Sequence, residues 1–151
     1  MILSGRDLQW YIETKKLKIE PVACEQFQQN GVDLILEAID SGNTHFTKLE
    51  FTLGTTREWL EMPDDLMAFV ELRSTWARNG LILQPTIVDA GFKGNLRLEI
   101  LPCSNMAVPI GQRFAHLIFA KLTSPSVPYN GKYQGQIGIT GPLADAAKVS
   151  K

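Results

Sequence analysis

The stretch TIVDAGFKGNLRLEI (Thr86–Ile100) decides what kind of fold this chain adopts. Its second half alternates strictly: Leu96, Leu98 and Ile100 share one side, Asn95, Arg97 and Glu99 the other, which is the period of a half-buried strand. The glycine-rich DAGFKG before it is turn chemistry. The expectation is a hairpin centred near Phe92, with Asp89 paired near Leu96 and Glu99 on the order of 10 Å farther along the strand. Two carboxylates thus flank the turn. Alternation points Glu99 away from the main core, either to water or to a pocket at the edge of a barrel, and composition alone favours water.

The same reading extends outward. HFTKLEFTL (45–53), LMAFVELRS (66–74), GLILQPTIVD (80–89), NLRLEILP (95–102) and QRFAHLIFAKL (112–122) are short and rich in β-branched and aromatic residues. The groups MPDD, ARNG, DAGFKG, VPIG and PYNGKYQG punctuate them. Strands at this spacing predict a mainly β sandwich or barrel rather than a βαβ sheet. Before them, Ser4 and Asp7 have the spacing of a capping box, and Leu8, Tyr11 and Ile12 supply a helical stripe. KKLKIEP then reads as a strand ending at Pro21, helix and strand together serving either for core packing, the favoured reading, or as a small lid or strap on one sheet edge. The chain is expected to be one domain over residues 1–151, with a flexible tail from about 141.

Composition excludes several classes. Net charge is −1, so nothing in the bulk charge points to nucleic acid or an acidic membrane. No apolar run is long enough to span a bilayer, and the N-terminus is too charged for a signal-peptide core. Cys24 and Cys103 are expected to be reduced and packed inside a cytoplasmic protein. P-loop, dinucleotide and nucleophile-elbow motifs are absent, as is the zinc deaminase signature, so any deamination would proceed without a metal at the base.

Two clusters suit an anionic ligand. Arg73, Ser74 and Arg78 place two guanidinium groups and a hydroxyl where a strand breaks into a turn, a set that binds phosphate oxygens or forms a solvated loop. Lys132, Gln134 and Gln136 in PYNGKYQGQ lie in a glycine-rich segment whose backbone could approach a ligand.

Taken in order, MILSGRDL, IEP, QQNGVDL, LRSTWARNGL, IVDAGFKGNLRLE, GQRFAHLIFAKL and PYNGKYQGQ resemble the family joining trimeric dUTP diphosphatases and dCTP deaminases, nearest its archaeal-type branch. The resemblance implies a distorted β-barrel of the trimeric dUTPase type with a short N-terminal helix, assembled as a homotrimer with active sites between subunits. It implies that Asp33 is a supporting acid and that Arg73 and Ser74, with Thr75 beside them, bind phosphate. Arg78 would lie near the triphosphate and the catalytic glutamate, Asp89 would hold the deoxyribose hydroxyl and orient water, and Phe92 would stack beneath the sugar. Glu99 would be the deaminase acid/base, and Lys132, Tyr133 and Gln136 would close over the nucleotide. Magnesium would be held through the triphosphate and water, not by the protein. There are departures: His116 stands where diphosphatases carry glutamine, and the H-x-T-A element of deaminases is missing before Asp89.

Two chemistries follow. Hydrolysis of dUTP to dUMP and pyrophosphate needs an ionised carboxylate by the water, the part of Asp89. Deamination of dCTP needs a carboxyl with a raised pKa in a water-poor pocket, the part of Glu99. Chain length and the short LQPTIVD link put dUTP hydrolysis first, with dCTP deamination, alone or coupled to hydrolysis, as the alternative. A catalytically silent nucleotide-binding trimer is a third reading, disfavoured because all three acids are retained.

Overall fold

A computed structural model describes residues 1–42 and 44–143; most of the expected flexible tail, 144–151, lies outside the described residues. Ser4 caps helix α1 (Gly5–Glu13): its hydroxyl accepts from Asp7 N, and the Asp7 carboxylate accepts from Ser4 N at 2.9 Å. The predicted box is therefore formed. Strand β1 (Lys18–Glu20) follows and stops at Pro21. Leu8, Leu17 and Ile19 are fully buried, so this unit packs into the core, the favoured of the two sequence readings. β1 pairs with the end of the long strand β5 (Thr52–Glu61), Ile19 opposite Leu60.

The remaining strands are β2 (Phe27–Gln28), β3 (Gly31–Ile39), β4 (His45–Phe46), β6 (Leu66–Leu72), β7 (Leu81–Leu83), β8 (Thr86–Val88), β9 (Lys93–Pro102), β10 (Met106–Ala107) and β11 (Arg113–Lys121). All their pairings are antiparallel, and the main path runs β7-β9-β5-β3-β11-β6-β8. β7 and β8 lie at opposite ends of that path, yet only Gln84 and Pro85 separate them in sequence. Three Cα steps span at most about 11 Å, whereas seven flat strands would put the ends about 29 Å apart. The sheet must therefore curl until its edges nearly meet. The fold is a mainly β, curled antiparallel half-barrel with a short N-terminal helix, as expected.

Three local expectations differ from what forms. GLILQPTIVD is not one strand: Pro85 has no N–H for a ladder and restricts Gln84, so the chain leaves β7 and re-enters the sheet as β8 on its other edge. HFTKLEFTL also breaks: β4 joins β10 in a separate ribbon, Leu49 takes a φ of 59°, and β5 starts only at Thr52. Most consequentially, Thr86–Ile100 is not a hairpin. β8 pairs with β6 and β9 pairs with β5, so Asp89 does not pair near Leu96. The connecting Asp89–Phe92 is a tight turn closed by Phe92 N to Asp89 O, with Gly91 at φ 79°, the type II pattern. A Cβ on Gly91 would also lie 2.4 Å from Pro128 Cβ, so glycine is required twice over.

The core lies inside the curl, where Phe114, Phe119, Leu34, Leu36, Leu98 and Ile100 are completely buried. Each contributes about 1.5–3 kcal/mol of apolar burial. Leu96, Leu98 and Ile100 point inward and Arg97 and Glu99 outward, as the alternation predicts. One buried carboxylate interrupts this core. Glu58 sits where β5 slips register against β9, and it accepts from Gln26 Nε2 at 2.7 Å and from Ile35 N at 3.0 Å. Burial pushes its carboxyl above the usual range, while those bonds pull it down. Cys24 and Cys103 are free thiols as expected but exposed, since one opens a 3-10 turn and the other follows the last residue of β9. Among the described residues no helix is long and apolar enough to cross a membrane.

Candidate active site

β9 carries its outward face into a cavity of about 400 Å³, within the usual size of a small-molecule site. Asp89, Phe92, Arg97, Glu99, Tyr133 and Gln136 line it together with Phe51, Ile87, Tyr129 and Thr140. The curl makes this possible: it faces β8 towards β9 across the cavity although the two are not paired. Asp89 stands exposed on the wall, and Phe92 is buried against Tyr129 with ring centroids 5.9 Å apart.

Glu99 is half-buried, and its Oε2 is buried without a hydrogen-bond partner. Burial pushes its carboxyl up; a backbone hydrogen bond and the nearby charge of Arg97 pull it partly back. Gln136 presents a second open atom. Its Nε2 donates to Asn95 O at 2.9 Å, which fixes the amide orientation and leaves the buried Oε1 as an unpaired acceptor. Two unpaired buried oxygens on one cavity are what a ligand-binding site needs and a folded core avoids.

The segment after β11 covers this cavity. Tyr129 N donates to Ala90 O, the Gln134 amide bridges Lys93 N and Gly91 O, and Asn95 N donates to Gln136 O. Tyr133 and Gln136 line the cavity; Lys132 does not, its ammonium donating instead to Leu143 O at 2.7 Å. Gly141 and Pro142, placed in a flexible tail by the sequence reading, also line the cavity.

A second polar group lies apart from the first. Asp33 on β3 faces His116 on β11 in the ladder, and His116 Nδ1 reaches Asp33 Oδ1 at 2.9 Å. Among the described residues Oδ2 makes no hydrogen bond, but it is met by charge, in ion pairs with Arg73 Nε at 2.9 Å and Arg113 Nη1 at 3.6 Å. The carboxylate is buried and surrounded by basic groups. Arg73 leads into a short helix α2 (Ser74–Arg78), which forms where a turn was expected; Trp76 anchors it by donating to Arg113 O at 2.9 Å and stacking on Phe114. Ser74, Thr75 and Arg78 are exposed. None of Asp33, Arg73, Ser74, Thr75, Arg78 and His116 lines the cavity, so one chain brings the predicted residues together in two groups rather than one.

Sequence reasoning passed over Arg97, Arg113, Tyr129 and Thr140. Arg97 was signalled, since alternation put it on the face of Glu99. Arg113 and Thr140 depend on contacts distant in sequence that no local pattern reveals. Among the described residues no group of three or more His, Cys, Asp or Glu side chains is placed to hold a metal ion.

Comparison with known proteins bears on the family and the fold. The dCTP deaminase-like family model matches residues 36–122. A dCTP deaminase of Staphylothermus marinus is 41% identical over 179 residues, covering 96% of this chain and all of that protein. A probable deoxyuridine 5'-triphosphate nucleotidohydrolase of Sulfolobus islandicus rod-shaped virus 1 is 44% identical over 156 residues, covering 93% of this chain and 97% of that protein. The crystal structure of a 2'-deoxycytidine 5'-triphosphate deaminase from Agrobacterium tumefaciens superposes with a TM-score of 0.66 at 19% identity, which bears on fold alone. That match covers 80% of this chain and 47% of the Agrobacterium chain. With the family pattern over more than half its length and relatives matched almost end to end, the chain belongs to the dCTP deaminase and dUTPase family.

Proposed function

We propose that the protein deaminates dCTP to dUTP, reversing the order in which the sequence alone ranks the two activities. The observation that carries this is Glu99: a carboxyl raised by burial, with an unpaired oxygen on the cavity, suits proton shuttling at a base. Hydrolysis at phosphorus has no use for such an acid. The archaeal relatives named dCTP deaminase support the same reading.

In this reading Glu99 takes a proton from water as its oxygen attacks C4 and passes one to N3. It then carries the proton of the new C4 hydroxyl to the amino nitrogen. Ammonia leaves, the C4–O double bond forms, and dUTP results. The Gln136 Oε1 acceptor suits the amino hydrogens of cytosine. Asp89 would hold the deoxyribose hydroxyl and Phe92 would lie beneath the sugar. Arg73, Ser74, Thr75 and Arg78 would bind the triphosphate from a neighbouring copy in a homotrimer, which explains why one chain leaves them apart from the cavity; exposed Phe51 and Ile87 at its mouth fit such an interface. Asp33 would order Arg73, Arg113 and His116 rather than touch water, and Lys132 and Tyr133 would close over the phosphates. The role belongs to cytoplasmic deoxynucleotide metabolism.

A second reading, dUTP diphosphatase alone or coupled to deamination, is favoured by one observation. The viral relative of that name aligns over 156 residues while the deaminases need 168 to 179, so this chain has the shorter form. The test gives the protein dCTP and dUTP separately with magnesium and resolves the products. Ammonia from dCTP is expected; pyrophosphate from dUTP with dCTP untouched would overturn the deaminase reading.

A further inference from the structure

Arg97 is the cation on the cavity wall, and it faces in two directions. It stands two residues from Glu99 on one face of β9, about 7 Å along the strand. Its Nη1 donates to Thr55 Oγ1 at 2.9 Å, on the neighbouring strand directly opposite. Its other nitrogens reach the covering segment: Nη2 donates to Thr140 Oγ1 at 2.9 Å and Ile137 O at 3.3 Å, and Nε to Thr140 O at 3.4 Å. This is the rigid fork of a guanidinium used to fasten one element onto another.

The covering segment is held differently in its two halves. Up to Gln136 it is bound to the turn after β8 through several backbone bonds and the Gln134 amide. Beyond Gln136, among the described residues, Arg97 supplies the bonds from the sheet; the others, Lys132 Nζ to Leu143 O and Leu143 N to the Tyr133 hydroxyl, stay within the segment. Among the described residues, the outer half is therefore hydrogen-bonded to the sheet by one side chain.

We propose that Arg97 is a positioning residue that clamps Ile137–Thr140 across the cavity and, from the same place, sets the charge environment of Glu99. The proposal deepens the deaminase reading, since it gives Arg97 a part in preparing the acid, and its mechanistic half rests on that reading. Among the described residues, the charged and titratable groups facing Glu99 around the cavity are Arg97 on its own strand, Asp89 beyond β8, and Tyr129 and Tyr133 from the covering segment. Of these, Arg97 is the cation, and its charge opposes the upward push of burial on Glu99. The clamp thus holds a positive charge beside the acid whenever the segment is closed.

The test uses Arg97→Met and Arg97→Lys in the full chain, with two readouts that need no turnover: cleavage within residues 137–140 of the native protein by a broad-specificity protease, located by mass spectrometry, and the titration of the Glu99 carboxyl carbon by NMR. Arg97→Met is expected to speed cleavage there roughly tenfold, the loss of about one or two charge-assisted bonds, and to move the Glu99 titration upward. Arg97→Lys keeps the charge but not the fork, so cleavage should quicken while Glu99 titrates close to the wild type. The acid limb of kcat/KM for dCTP should move up in Arg97→Met and not in Arg97→Lys. Unchanged cleavage and titration in Arg97→Met would overturn the proposal, as would a Glu99 titration that Arg97→Lys and Arg97→Met shift alike. If the wild type releases no ammonia from dCTP while both physical readouts behave as expected, the deaminase reading falls and the clamp stands.

Discussion

Asp33 and Glu99 are both carboxylates on long strands of one sheet, and they are treated in opposite ways. Asp33 is completely buried, and basic groups from three other positions, Arg73, Arg113 and His116, meet its two oxygens. Glu99 is half-buried, with one oxygen left without a partner on a cavity. A paired buried charge organises its neighbours, whereas an unpaired one costs stability and is tolerated where chemistry uses it. The difference fits the proposed division, in which Asp33 would order the basic residues and Glu99 would transfer the proton.

Substitutions can break that contrast. The largest effect is expected from Glu99→Gln, which keeps the shape and removes the proton carrier: dCTP turnover should fall about 10²–10⁴-fold. Its thermal midpoint should hold or rise, because an unpaired charge has been removed; kinetics and a melting curve on one preparation check both. Asp33→Asn should do the reverse to stability. It leaves two arginines and a histidine without their buried counter-charge, at about 3 kcal/mol, read by chemical denaturation. Next comes Gln136→Ala, which deletes the open acceptor on the cavity and should lower kcat/KM for dCTP about tenfold with little change in folding.

The smallest effect sharpens the contrast with a third carboxylate. Glu58 is buried like Asp33, but it is met by an amide and a backbone N–H rather than by cations, and its pKa is raised. A raised folded pKa means the folded state holds the proton more tightly than the unfolded chain. The stability contributed is then fully present below the ordinary glutamate range and is lost as pH rises through the elevated value. Glu58→Gln should flatten the stability–pH curve across that window and stay within about 1 kcal/mol of wild type at pH 7. Denaturant midpoints at several pH values measure it.

Much of this was legible in the sequence, for reasons that differ by region. The Ser4–Asp7 cap and the alternation of β9 are local, so spacing alone gives them. β3 did not show as a strand because residues 31–34 and Leu36 are buried in near succession, which hides the period of two. The supposed hairpin failed because the turn after β8 is local while strand partners are set by the curl of the whole sheet. For the site, family motifs picked out Asp89, Phe92, Glu99 and Gln136, which share one cavity; the resemblance implied sites between subunits but not which residues, Arg73 and Asp33 among them, a single chain holds apart from that cavity. The ranking of the two activities changed for a related reason. Chain length was visible in the sequence, but the unpaired oxygen of Glu99 was not.

The central claim is that the attacking water goes to the base and not to phosphorus. Turnover of dCTP and of dUTP in water enriched in oxygen-18, with products fragmented by mass spectrometry, tests it directly. Turnover of dCTP should give a product labelled on the uracil ring, and Glu99→Gln should lose this label. Label found only in the phosphate or pyrophosphate products of dUTP, with the dCTP base unlabelled, would contradict it.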